Sequence, residues 1–321
     1  MRVQFYSQSL KKSWDNFVQQ AKNATFLFER NYMDYHSDRF DDSSLVIYKK
    51  EKIIALLPAN KVENTIHSHQ GLSYGGVITS SKTTFQDTLL IYIAILHFFK
   101  KNKFQKLHLK IFPIFYSNQP SQEVDYLLHL LQAKKTRCDI TLAINQENKI
   151  GYNTNKKRKL KEADKTGLTI EKSTDFQSFW NDVLIPNLKE AHNLVPIHCL
   201  AEIELLHTHF PKNIELYLVY KNNKTIAGTV IYTTNRVAHA QYISANSLGK
   251  ELGALDYLFD YLINKEYSNK AIFDFGIVNQ GNGINFGLTF WKEAFGARTY
   301  CHDFYEVDTS KVHLLKQLLD N

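Results

Sequence analysis

Cysteine is scarce in this 321-residue chain: Cys138, Cys199 and Cys301 are widely spaced, odd in number and never arranged as C-x-x-C. That spacing predicts neither a disulfide framework nor a cysteine zinc site, and it suits a reducing cytoplasm. Six Pro and 13 Gly exclude collagen-like or low-complexity architecture. Long hydrophobic runs are missing. The longest, Leu89 to Phe99, carries His97 and falls well short of the roughly twenty residues of a membrane-spanning helix, so no stable membrane insertion is expected. The first residues lack the apolar stretch of a signal peptide. Charge is only mildly one-sided, 39 Lys and Arg against 32 Asp and Glu, a net +7. That balance suits a phosphate-bearing partner without naming nucleic acid.

Apolar residues are abundant, at 44%, and aromatics reach 13% through 18 Tyr and 21 Phe. That is enough for two cores at roughly 150 residues each. The chain also resembles itself. Leu45–Leu57 reads as two strands about a polar turn at Lys50-Glu51, and Leu216–Tyr232 as the same hairpin about Asn222-Asn223. Tyr48-Lys49, Lys52 and Ile54-Ala55 recur as Tyr220-Lys221, Lys224 and Ile226-Ala227, each 172 positions on.

The flanks repeat in the same order. An aromatic helical segment precedes each hairpin (Ser13–Val18; Phe179–Val183). A small-residue strand and turn follows (His69–Gly76; Ala240–Ala245), then a helix (Phe85–Lys100; Ala254–Lys265) and a buried strand from Lys106 or Ala271. Another helix (Gln122–Gln132; Ile284–Phe295) and a last strand (Arg137–Ala143; Arg298–Val307) close each half. Two copies of one α/β unit are predicted. Between them, Lys149 to Lys172 holds eight Lys and Arg against three acids, +5 of the net +7. Asn153 or Asn155 is placed to cap a helix through Lys156–Lys165 that Gly167 would end, with a phosphate-facing or simply solvated face.

This order of elements resembles the GNAT acyltransferase unit. Two such units in tandem, joined by a basic helix, resemble the FemAB-like group of aminoacyl and acyl transferases. Asn155–Leu168 is similar to the group's asparagine-arginine-x-x-lysine-alanine-x-x-x-glycine helix, and Phe273-Asp274-Phe275-Gly276 to its aspartate-phenylalanine-glycine strand. Gly287–Ala297 is similar to its closing segment with a lysine and a phenylalanine-glycine pair. The resemblance implies an α/β fold of two tandem GNAT-like domains, with mixed central sheets flanked by helices. Expected bounds are 1–148 for a substrate platform, 149–164 for a basic linker helix and 165–321 for the catalytic domain. The implied activity is transfer of an acyl or aminoacyl group onto an amine of a cell-envelope or sugar-nucleotide precursor. A different reading is a non-catalytic glycan- or peptide-binding protein on a degenerate GNAT fold. The donor would be acyl-CoA or aminoacyl-tRNA, with no metal.

Other motifs fail on inspection. Gly281–Gly287 lacks dinucleotide-loop spacing, Asn282 stands where a Walker loop needs Lys, and Asp274-Phe275-Gly276 has no H-R-D partner. His67-x-His69 and His207-x-His209 have no third ligand in a known pattern.

Acyl transfer to an amine needs a neutral amine, donors toward the developing oxyanion and an acid for the leaving group. Tyr242, in the strand matching the fourth GNAT strand, offers a hydroxyl as acid or ligand. Asp274, on the facing strand, offers to orient or deprotonate the amine. The resemblance places Lys292 near the donor phosphate or reacting carbonyl. Lys250 and Gly253 stand where acyl-CoA users carry a Gln/Arg-x-x-Gly-x-Gly/Ala loop at a helix N-terminus, with Lys first and the last small residue missing. The acceptor is expected in a crevice lined by Tyr35, Arg39 and Tyr74 of the first half and Arg158, Tyr242, Asp274 and Lys292 of the second. Arg158 would grip its phosphate or carboxylate.

Overall fold

Both hairpins form as the repeat predicts, and they share a defect. β2 (Leu45–Lys49) and β3 (Lys52–Leu57) pair antiparallel with a register shift between Ile47 and Tyr48. β8 (Ile214–Lys221) and β9 (Lys224–Thr233) pair the same way, with a shift between Val219 and Tyr220. Asn222 and Asn223 both adopt left-handed backbone, at φ 51° and 58°, as a two-residue hairpin turn requires. The flanking strands agree too. β1 (Arg2–Phe5) sets Arg2 against Tyr48, and β7 (Thr169–Ser173) sets Thr169 against Tyr220. Tyr48 and Tyr220 therefore occupy equivalent places in two equivalent hairpins.

The computed structural model describes residues 1–281 and 283–319, without the side chains of residues 191 and 192. The chain divides into two units, Met1–Asp139 together with the chain from Cys301 onward, and Ile140–Tyr300. In the first, β1-β2-β3 continue to the short β4 (Ile78–Thr79). α2 (Phe85–Lys101) follows, started by a capping box in which Thr84 and Asp87 each bond the other's backbone. Its apolar face buries Ile91, Tyr92, Ile95 and Phe99 against β2, β3 and β5 (Lys106–Lys110), beside α3 (Glu123–Leu130). In the second unit the strand order is β7-β8-β9-β10-β11, with β10 spanning Val237–Ala245 and β11 Ile272–Ile277. Phe259, Phe273, Phe275, Phe295 and Trp291 pack ring to ring under α7 (Ala254–Tyr261) and α8 (Phe286–Glu293).

The units do not divide at the expected 148 and 165, because the closing strands are exchanged. β6 (Lys134–Asn145), expected to finish the first half, runs into the second unit, where Ala143, Ile144 and Asn145 pair with β11 and Leu142 and Ile144 join the core. β12 (Arg298–Asp308) returns to the first unit, where Phe304–Asp308 pair with β5 and Val307, Val312 and Leu315 join that core. The basic segment is likewise not a free linker. α4 (Thr154–Asp164) lies within the second unit, begun by the Asn153 side chain accepting from the Lys156 amide at 2.8 Å, with Gly167 at φ 66° beyond its end. Buried Lys156 ties it down, donating to Asp256 at 2.6 Å with its ammonium 3.9 Å from the Phe295 ring centre.

Gly296 turns the chain into β12 at φ 88°, where a Cβ would lie 2.1 Å from the Ile150 carbonyl oxygen. Backbone cannot yield as a side-chain tip would, so Gly296→Ala is expected to cost about 2–4 kcal/mol. The denaturation midpoint measures it; a loss under about 0.5 kcal/mol, the scale of a neutral surface change, would refute the tight approach.

Candidate active site

β10 and β11 run parallel for only three pairs, Val237 with Ile272, Ala238 with Phe273 and His239 with Asp274. Past the last pair, β10 continues along β9, while β11 shifts register against β6 between Asp274 and Ile277. A gap therefore opens where His239 and Asp274 stand. The irregularity opposite Val230/Ile231 leaves Gln241 unmatched and reverses the alternation of β10. Ala238 and Ala240 before it, and Ala245 after it, join the core under α7. His239 and Tyr242 consequently share the opposite face.

Asp274 is buried and fully engaged. Its Oδ1 accepts from Thr141 Oγ1 at 2.6 Å and from the Gly276 amide at 2.9 Å, and its Oδ2 meets His239 Nδ1 at 2.8 Å. Burial alone would push this carboxyl up. The charge and hydrogen bond of His239, with the bonds from Thr141 and Gly276, instead hold it at about 2. An acceptor carboxylate fixes the imidazole with its proton on Nδ1, leaving Nε2 as a proton acceptor. Gly276, at φ 77°, lets the backbone turn under the ring, where a Cβ would lie 3.2 Å from His239 Cε1.

Lys292 enters from α8. Only 2% exposed, it donates to the carbonyls of Gly276 at 2.8 Å and Ile277 at 3.0 Å. Burial lowers its pKa to about 8, with the Asp274 charge opposing. Thr141, His239, Asp274, Gly276 and Lys292 thus form one connected group at the mouth of the gap.

Tyr242 lies on the same face with its hydroxyl already committed. It is 2.6 Å from His198 Nδ1 and accepts from the His198 amide at 3.1 Å, while Trp180 Nε1 donates to the His198 carbonyl. Gly253 immediately precedes α7, and Lys250 lies in the short helix Ser247–Glu251 before it. Lys250 Nζ donates to Asn187 at 2.5 Å, and Gly253 holds φ 67° before the helix. The first turn already carries buried Asp256, which also accepts from Trp291 Nε1 at 2.7 Å and so meets the positive helix end with a protein carboxylate. Arg158 is exposed on α4 and donates to Asn155 at 3.0 Å.

In the first unit, exposed Arg39 stands 6.0 Å from the ring centre of half-buried Tyr35. Tyr74 is a core residue rather than the wall of an open surface. It is 4% exposed among Phe28, Phe112 and Tyr116, with its hydroxyl 2.8 Å from Thr25 Oγ1. Asn282 lies outside the described residues. Among those described, no three His, Cys, Asp or Glu are placed to hold a metal ion, and no helix is long and apolar enough to cross a membrane.

Sequence reasoning missed His239, His198 and Thr141. His239 left a signal: it is a lone imidazole in the apolar run Val237-Ala238-His239-Ala240, directly opposite the aspartate of the recognised Phe273–Gly276 strand.

No family model matches the chain, and no curated protein sequence matches it significantly. Solved structures match over its full length. FemX shares 11% identity at a TM-score of 0.67, covering 100% of both chains. The C-terminal domain of a putative lysylphosphatidylglycerol synthetase from Agrobacterium fabrum shares 11% at 0.58, covering 97% of this chain and 95% of that one. A GNAT-family acetyltransferase from Colwellia psychrerythraea shares 8% at 0.52, covering 96% and 100%. The chain has a FemAB-like GNAT fold.

Proposed function

We propose that the second unit transfers an acyl or aminoacyl group to an amine on a cell-envelope or sugar-nucleotide precursor, with acyl-CoA or aminoacyl-tRNA as donor. One observation carries this reading: an Asp274–His239 pair beside a buried lysine, at the point where two parallel strands part. His239 Nε2 takes the proton as the amine attacks the donor carbonyl. Asp274 reaches no substrate and acts as a positioning residue that sets the tautomer of His239. Lys292 faces the oxygen that becomes negative. A neutral amine has two hydrogens, and the carbonyls of Gly276 and Ile277 take both; only the ammonium has a third for the oxyanion. A C–N bond forms, the bond to the donor's sulfur or ribose oxygen breaks, and the proton held on His239 passes to the leaving group. Tyr242 holds His198 and the chain before α6 (Leu200–His209) along one wall.

The basic face of α4 supports a phosphate-bearing acceptor, gripped by Arg158. Arg158→Ala is expected to raise the acceptor KM by roughly tenfold, the worth of one charge-assisted bond, with kcat unchanged. An unchanged KM would mark the face as merely solvated.

The test of the activity offers purified protein acetyl-CoA or a panel of charged tRNAs, each with amine-bearing sugar nucleotides. Product formation that His239→Ala abolishes supports the reading. Turnover with neither donor, alongside measurable acceptor binding, would replace it with a binding protein on a degenerate fold.

A further inference from the structure

The three cysteines are free, and two of them are neighbours that their spacing in sequence does not suggest. Cys138 lies on β6 and Cys301 on β12, adjacent strands in the sheet. Around them Lys135 Nζ donates to Asp303 at 2.6 Å and Thr136 Oγ1 to the Phe304 carbonyl at 3.3 Å. These two contacts bracket Cys138 and Cys301 and set them opposite each other across the two strands, with the Cys138 thiol beside both the Cys301 side chain and the Asp303 carboxylate and 3.9 Å from the Asp139 carbonyl. Both residues are exposed, whereas Cys199 stands apart at the start of α6. Facing residues on neighbouring strands have the Cα spacing a disulfide accepts, about 4.5–5.5 Å.

Their place in the chain gives the pair a consequence. The second unit is Ile140–Tyr300, so the chain leaves the first unit one residue after Cys138 and returns at Cys301. A bond between these sulfurs closes a covalent loop around the whole second unit, fastening its entry strand to its exit strand.

We propose that Cys138 and Cys301 form a reversible disulfide that staples the base of the second unit, with a small-molecule disulfide such as oxidised glutathione as oxidant. The hydrogen bond to Asp303, then burial and the contact with Cys301, push the Cys138 thiol up to about 12, so it stays protonated beside the carboxylate. Cys301 therefore attacks first. Its thiolate displaces one reduced glutathione and forms a mixed disulfide; Cys138 then loses its proton to solvent, attacks the Cys301 sulfur and releases the second. Two thiols are oxidised and one glutathione disulfide is reduced to two thiols.

The experiment incubates the folded 321-residue chain with oxidised glutathione, alkylates it, and reads intact mass, linked peptides and thermal unfolding. The expected product has lost two hydrogens, links the Cys138 and Cys301 peptides and leaves Cys199 alkylated. Its unfolding temperature should rise by on the order of 5–10 °C, because the bridge closes a very long loop, and should fall back on reduction. Cys138→Ser and Cys301→Ser should each abolish the link and the shift, and Cys199→Ser neither. Glutathione accumulating on either cysteine of the folded parent without a link would overturn the proposal, as would a link that forms only in denaturant. No readout depends on catalytic activity.

Discussion

Replacing Lys292 by methionine is expected to lower kcat by about 10²–10³-fold with KM nearly unchanged, the cost of one donor that acts only on the developing oxyanion. Because the third hydrogen exists only on the ammonium, activity of the parent should also decline as pH rises through about 8. Stability moves the other way. The folded-state pKa of Lys292 lies below the unfolded value of 10.5, so the unfolded chain holds this proton more tightly between pH 8 and 10.5. Lys292 therefore opposes folding below about pH 8, and the penalty fades as pH climbs. Methionine removes it but leaves two carbonyls unpaired, so the variant should stay close to the parent in stability at pH 7. A structural lysine would give the reverse pattern, clear destabilisation with kcat intact, and that pattern in steady-state kinetics and urea titration would sink the assignment.

What was legible in the sequence was whatever depends on local order. The 172-residue offset put Tyr48 and Tyr220 in equivalent strands, and the basic helix is capped by Asn153, one of its two candidate caps, and followed by Gly167 in left-handed backbone. Asp274 and Lys292 were found through motifs and do belong to one connected group. The exchange of closing strands was invisible, because β6 and β12 are both amphipathic strands that fit either sheet, and only tertiary packing decides between them. The burial of Lys156 was hidden for a related reason. In a run of eight cations, nothing local marks the one that faces Asp256 and an aromatic cluster. Cys138 and Cys301 met through the same exchange, since each lies at a crossing from one unit to the other. His239 was overlooked because β-strand alternation gives a polar residue no meaning until its partner strand is known. Its role appears once the register sets it against Asp274 and the next ladder pair fails to form.

Asp274→Asn tests that partnership most sharply. Asparagine keeps the size and still accepts from Thr141 and the Gly276 amide through its oxygen, but it turns an NH₂ toward His239 Nδ1. The imidazole must then accept at Nδ1 and carry its proton on Nε2, the nitrogen that has to take one from the amine. Turnover should fall by about 10²–10⁴-fold while substrate KM changes little, as expected when a base is held in the wrong tautomer. The acid limb of stability supplies a second readout. A folded pKa of about 2 against an unfolded 3.8 gives the parent stability that is fully present above about pH 4 and is lost as pH falls toward 2. The difference corresponds to roughly 2 kcal/mol at this buried site. Asparagine does not titrate, so urea midpoints of the variant should decline less steeply over that interval. A proton-coupled pair predicts both changes together. Loss of stability at every pH with kcat preserved would instead make Asp274 a structural cap of the Gly276 turn, and His239 would then need another partner to serve as the base.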